Sequence, residues 1–110
     1  MANTYKQLGQ GRYNDTNANT VYTVPAATTT IIKNIHICNT TAVAATCRLF
    51  LGASGATADQ TTAVFYDFPI PANSFVQDSG SHILSVGGTV KFAEGTANAL
   101  TITVEGLEIT

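Results

Sequence analysis

From residue 20 onward the chain alternates apolar and polar positions with a period of two, in short runs separated by Gly, Pro, Asn and Asp. That period sends every second side chain to the same face of an extended segment, so each run predicts a half-buried β-strand. The runs fall at residues 20–24, 29–39, 43–51, 62–68, 75–77, 82–86, 90–92 and 100–104. In 29–39, Ile31, Ile35 and Ile37 share one parity while Ile32, His36 and Cys38 take the other. None of these Thr/Val/Ile-rich runs carries the i, i+3, i+4 stripe of a helix. The pattern predicts an all-β fold, an antiparallel β-sandwich of jelly-roll type.

The breaks between runs have their own chemistry. Pro25-Ala26-Ala27 predicts a turn, because Pro presets its φ. Asn39-Thr40-Thr41-Ala42 reads as a hairpin turn, with Ile35 and Ile37 on the same core side as Cys47, Leu49 and Leu51. Residues 52–60 are small and polar, a loop, and Pro69-Ile70-Pro71 ends the run before it. Gly106 interrupts the last alternation, so that Leu107 and Ile109 resume out of phase with Val104, the mark of a β-bulge. Residues 1–19 show no periodicity and are polar, punctuated by Gly9 and Gly11. They read as an extended N-terminal arm preceding a sandwich domain at 20–110. Leu8 and Tyr13 are its docking side chains, and the arm is either a loose tail or a segment that orders against a neighbouring subunit.

Composition narrows the function. The 110 residues support one domain with one core. Charged residues are 11% of the chain, against about 25% in an average soluble domain. With 5 Lys+Arg and a net charge of -2, there is no cationic field to neutralise nucleic-acid phosphates or an anionic membrane. The N-terminus lacks an apolar signal-peptide core and no apolar run is long enough to span a bilayer, so the expected compartment is a reducing cytoplasm. There Cys38 and Cys47 are expected as free thiols, Cys47 filling the core and Cys38 facing away from it.

The candidate chemistry is thin. His36 and Cys38 share a strand face at a spacing that offers two zinc ligands, but a structural site needs four, and the other candidates, Cys47 and His82, are badly placed. The stretch Asp78-Ser79-Gly80-Ser81-His82 holds the residue types of a triad, yet neighbours in one turn cannot converge as a triad must. No nucleophile elbow or phosphate loop occurs. The seven acidic residues are scattered, and strand parity assigns most Tyr and Phe side chains to core packing rather than to a glycan or base platform. No enzyme activity, metal or cofactor is expected.

Several stretches resemble a family of small structural proteins of tailed-bacteriophage virions. They are Asn3-Thr4-Tyr5-Lys6-Gln7-Leu8-Gly9-Gln10, Tyr22-Thr23-Val24-Pro25-Ala26, Ile35-His36-Ile37-Cys38-Asn39-Thr40-Thr41, Tyr66-Asp67-Phe68-Pro69-Ile70-Pro71-Ala72-Asn73 and the closing run from Leu100 to Thr110. The likeness spans nearly the whole chain. It departs at Gly11-Arg12, where relatives often carry an Ala/Pro-rich linker. The resemblance implies a head decoration (cement) protein in the virion, assembled in the bacterial host cytoplasm. Its implied partners are the phage major capsid protein and neighbouring copies of itself, closed as a homotrimer, with no nucleic acid or membrane partner. Tail, neck or fibre-attachment proteins are the alternative it leaves open, and a host-glycan-binding module is a third reading. The expected contact segments are the arm, through Tyr5, Lys6 and Leu8, and the 52–60 loop, through Ala53, Ser54 and Asp59.

Overall fold

A computed structural model describes residues 2–110. The described residues form nine strands and no helix: β1 (Asn3–Gly11), β2 (Asn19–Thr23), β3 (Thr29–Asn39), β4 (Ala45–Gly52), β5 (Ala63–Ile70), β6 (Phe75–Asp78), β7 (His82–Leu84), β8 (Thr89–Glu94) and β9 (Leu100–Ile109). All pairings are antiparallel and fall into two sheets. Sheet A has the order β1-β9-β3-β6, with β7 also on β3, and sheet B the order β2-β8-β4-β5. β6 runs beside residues 35–38 of β3 and β7 beside residues 30–32, so the two form one edge broken at 79–81. Counted so, eight strands fall four to each of two facing sheets, in the order of a jelly roll.

The N-terminal segment is where the expectation needs correcting. It is strand β1, paired with β9 from Asn3↔Ile109 to Gly11↔Ile102. It is therefore the first strand of the jelly roll, and the domain begins at β1 rather than at residue 20. Ala2 and Thr110 donate to each other's carbonyls at 3.0 and 2.9 Å, which ties the two chain ends together. The accessible surface of 5600 Å² is close to the roughly 5,800 Å² of a compact monomer of this mass, as a docked strand requires. Leu8 and Tyr13 do pack against the core.

Two further expectations change. Residues 40–44 do not make a hairpin; they carry the chain from β3 in sheet A to β4 in sheet B. Buried Asn39 organises this crossing, donating through Nδ2 to the carbonyls of Val43 (2.9 Å) and Ile70 (3.1 Å) and accepting from the Thr41 N–H (2.9 Å). Pro69 does not end β5, which continues to Ile70. β5 is an edge strand of sheet B, and an edge tolerates a residue without an N–H.

The core lies between the sheets and is built on Phe92, Ile32, Ile35, Ile37, Leu49, Ile70, Leu100 and Ile102, all fully buried. Its parity is set by bulges. β9 alternates without interruption, with Leu100, Ile102, Val104, Gly106 and Glu108 inward. The irregularities lie on its two neighbours instead, at Leu8 in β1 and at Lys33 in β3. The Lys33 bulge lets Thr30 and Ile32 share the core with Ile35 and Ile37, and it turns Ile31 outward. Gly106 thus marks the level of the bulges without being one. A Cβ there would collide with the Ile31 carbonyl oxygen and lie 3.0 Å from Leu8 Cδ1.

At one end of the core Glu108, 8% exposed, binds two partners. Its Oε2 accepts from the Tyr22 hydroxyl at 2.5 Å and its Oε1 meets Lys6 Nζ at 2.9 Å, while the Tyr22 hydroxyl also lies 2.8 Å from Thr30 Oγ1. This cluster links β2 of sheet B to β1, β3 and β9 of sheet A. The Tyr22 hydroxyl, and next the Lys6 ammonium, hold the Glu108 carboxyl below its ordinary value of 4.5. A carboxyl lowered by folding stabilises the fold fully above that ordinary value, and the contribution is lost as pH falls through the folded value. The urea midpoint is accordingly expected to fall below about pH 4.5, and Glu108→Gln is expected to flatten that fall. An unchanged acid limb in the variant would remove Glu108 from the account.

Candidate interaction surface

The outer face of sheet A carries an apolar row one residue deep and four strands wide. Tyr5 on β1 pairs with Leu107 on β9, Leu107 with Ile31 on β3, and Ile31 with Ile83 on β7. Side chains at directly paired positions lie about 5 Å apart on the same face, so the four form one ladder. Tyr5 is 77% and Ile83 70% exposed, the largest exposures at the two ends of the row, and Ile31 and Leu107 are half-buried between them. Ile109, half-buried, follows Leu107 by two positions on the same face. Farther along the face the groups become polar: Gln77 Nε2 donates to Asn34 Oδ1 (2.8 Å), Asn34 Nδ2 to Glu105 Oε1 (3.1 Å), and Gln10 Nε2 to Thr103 Oγ1 (3.0 Å). Beyond them His36 stacks on Phe75 with ring centroids 4.8 Å apart.

The contact residues expected from the sequence divide. Tyr5 stands at the end of the row, pointing to solvent. Lys6 turns inward to Glu108, and Leu8 packs against the core over Gly106, so both hold β1 in place. Ala53, Ser54 and Asp59 are all exposed on the loop between β4 and β5. The Ala53 carbonyl accepts from the Ala56 N–H at 2.9 Å, and Asp59 Oδ1 accepts from the Thr61 N–H at 2.9 Å. These bonds shape the loop itself, whose residues 58–61 line a groove with Phe50, Arg48 and Tyr66 on the outside of sheet B. The loop lies outside sheet B and Tyr5 outside sheet A, so the two expected segments belong to different surfaces.

Ile31, Ile83 and Leu107 are the surface residues that the alternation did not assign. Ile31 lay on the core parity, and only the Lys33 bulge puts it outside. Leu107 and Ile109 did carry a signal, their phase opposite to Val104, and the reason is that they face outward. Among the aromatic residues Tyr22, Phe50 and Phe92 are buried, but Tyr5, Tyr66, Phe68 and Phe75 are exposed, more than parity predicted. Arg48 lies over the Tyr66 ring at 4.1 Å and forks onto Asp67 at 2.7 and 3.2 Å.

The reactive side chains are placed as follows. Cys47 is in the core, where burial pushes its thiol up to about 12, and Cys38 is half-buried on the outer face of sheet A. His82 Nε2 meets Asp78 Oδ2 at 2.9 Å, while Ser81 Oγ accepts from Lys33 Nζ at 3.2 Å. Burial raises the Asp78 carboxyl, but the His82 ring and the Gly80 N–H outweigh it and hold it below its ordinary range. Glu94, 3% exposed, accepts the Leu100 N–H at 3.0 Å and so closes the loop before β9; burial pushes its carboxyl up against the pull of that N–H. Among the described residues no three His, Cys, Asp or Glu side chains gather as metal ligands would. Set against known proteins, the chain matches no family model, no curated protein and no solved structure.

Proposed function

We propose that this chain is a non-enzymatic structural protein of a virion, a decoration (cement) protein that docks on the head of a tailed phage. Its partners in this reading are the major capsid protein and neighbouring copies of itself, with three-fold closure as the unit on the shell. The observation that carries the reading is the outward apolar row Tyr5–Leu107–Ile31–Ile83, which crosses all of sheet A on a chain with few charges. A flat apolar strip on a sheet suits another protein surface better than a small molecule, which binds in concave sites. The jelly roll serves viral shells, and also lectins and cupins, so the surface and the sequence resemblance carry the role more than the fold does. Repeated over a lattice, modest contacts add up to strong attachment.

The test is removal and return. Particles stripped of this protein are expected to lose resistance to heat and low salt, and adding back the purified chain is expected to restore it. Unchanged survival of the stripped particles would contradict the cement role. Hundreds of copies per particle are expected on a head, whereas a few dozen would place the protein in the tail.

A further inference from the structure

The four sheet edges of the sandwich are unequal. Exposed edges invite pairing with other chains, and proteins blunt them with short strands, bulges, proline or interruption. β2 is five residues long and shifts register between Thr20 and Tyr22. β5 is kinked at Asp67, whose φ is 53°, and carries Pro69. The β6–β7 edge is broken at 79–81. On β1, by contrast, residues Asn3–Gln7 run in unbroken register with no proline, and among the described residues no strand pairs with their outer side.

The mutual hydrogen bonds between Ala2 and Thr110 fix which groups that edge presents. In an antiparallel ladder, pairs that exchange both bonds alternate with pairs that exchange none. Ala2↔Thr110 exchanges both, so Thr4 and Lys6 turn their N–H and C=O toward β9, while Asn3, Tyr5 and Gln7 turn theirs outward. These outward residues are self-complementary. If two β1 strands meet antiparallel about a two-fold axis at Tyr5, Tyr5 faces Tyr5 of the second copy, and Asn3 faces Gln7 of the second copy. Every outward N–H and C=O of the three residues is then satisfied.

We infer that β1 is a pairing edge and that its occupant is β1 of a second copy, joined two-fold into one sheet through both protomers. Charge fits this occupant: Lys6 is the one charged residue in the segment, it is held inward by Glu108, and in this register it faces Thr4 of the other copy rather than another lysine. The apolar row also becomes continuous, since the two Tyr5 rings join the rows of both copies. The inference rests on the proposed self-association and adds its geometry: an isologous contact that links one closed unit to the next.

Tyr5→Cys in a Cys38→Ser background tests it on the free protein, without particles. Directly paired β positions have Cα atoms about 5.5 Å apart, within reach of a disulfide. A covalent dimer on a non-reducing denaturing gel is expected after mild oxidation of Tyr5→Cys, and none from Ile83→Cys on the opposite edge. Adding Asn3→Pro removes an outward N–H while sparing the bonds to β9, and is expected to cut the dimer yield roughly tenfold or more. No dimer from folded Tyr5→Cys, or equal dimer from Ile83→Cys, would overturn the inference. A Tyr5→Cys dimer from a chain that leaves particle survival unchanged would uphold this contact and defeat the cement role alone.

Discussion

A chain cut to residues 20–110 is expected not to fold cooperatively, although sequence alternation alone would draw the domain there. The cut removes β1, which covers one side of β9 along nearly its whole length. It also removes Leu8 and Tyr13 from the core and Lys6 from the Glu108 cluster. β1 lies tightly against β2 as well: a Cβ on Gly9 would stand 2.5 Å from the Val21 carbonyl oxygen. Losing this strand uncovers the edge of β9 and one side of the core. The expected loss is comparable with the whole stability of a small domain, roughly 5–15 kcal/mol. Thermal unfolding followed by circular dichroism is expected to show a cooperative transition for the full chain and none for 20–110. A truncated chain melting near the full-length temperature would make β1 a detachable arm after all.

The second large effect is expected at Gly106. Valine or alanine there places a Cβ into the Ile31 carbonyl oxygen and against Leu8 Cδ1, and neither the backbone of β3 nor the Leu8 anchor can retreat without disturbing the sheet. Overpacking of this kind costs about 1–3 kcal/mol. Gly106→Val is expected to lower the urea midpoint accordingly. Thr101→Val, outward on the same strand, is expected to stay within about 0.5 kcal/mol of the parent. Equal midpoints for the two variants would mean that the sheet yields at Gly106 and that Leu8 does not lock β1 there.

What the sequence reveals follows from where side chains face. Val90 and Phe92, and Leu100, Ile102 and Val104, alternate cleanly because each lies on a strand with one face in the core, and from such runs the two-layer architecture could be read. β1 was unreadable by the same token. Of its nine residues only Leu8 reaches the core as an apolar side chain, so a strand in the sheet has the composition of a tail. The Lys33 bulge has no signal either, since no glycine or proline stands at it; it lies level with the break between β6 and β7. The crossing at 40–44 resembled a hairpin because the turn is short, and its real sign was Asn39, a buried amide that satisfies the backbone of the crossing. Of the surface row, the sequence points to Tyr5 through the N-terminal segment and to Leu107 through its phase, whereas Ile31 and Ile83 reach the surface row only through the fold.

In the proposed function, the outer face of sheet A and the edge of β1 are where this jelly roll meets other proteins in an assembly. A density map of the assembled particle tests it most directly. The chain is predicted to lie on the head, with Tyr5, Ile31, Ile83 and Leu107 covered by a shell protein or by a neighbouring copy. Finding that row open to solvent while the opposite sheet makes the contacts, or finding no density for the chain on the particle, would contradict the claim.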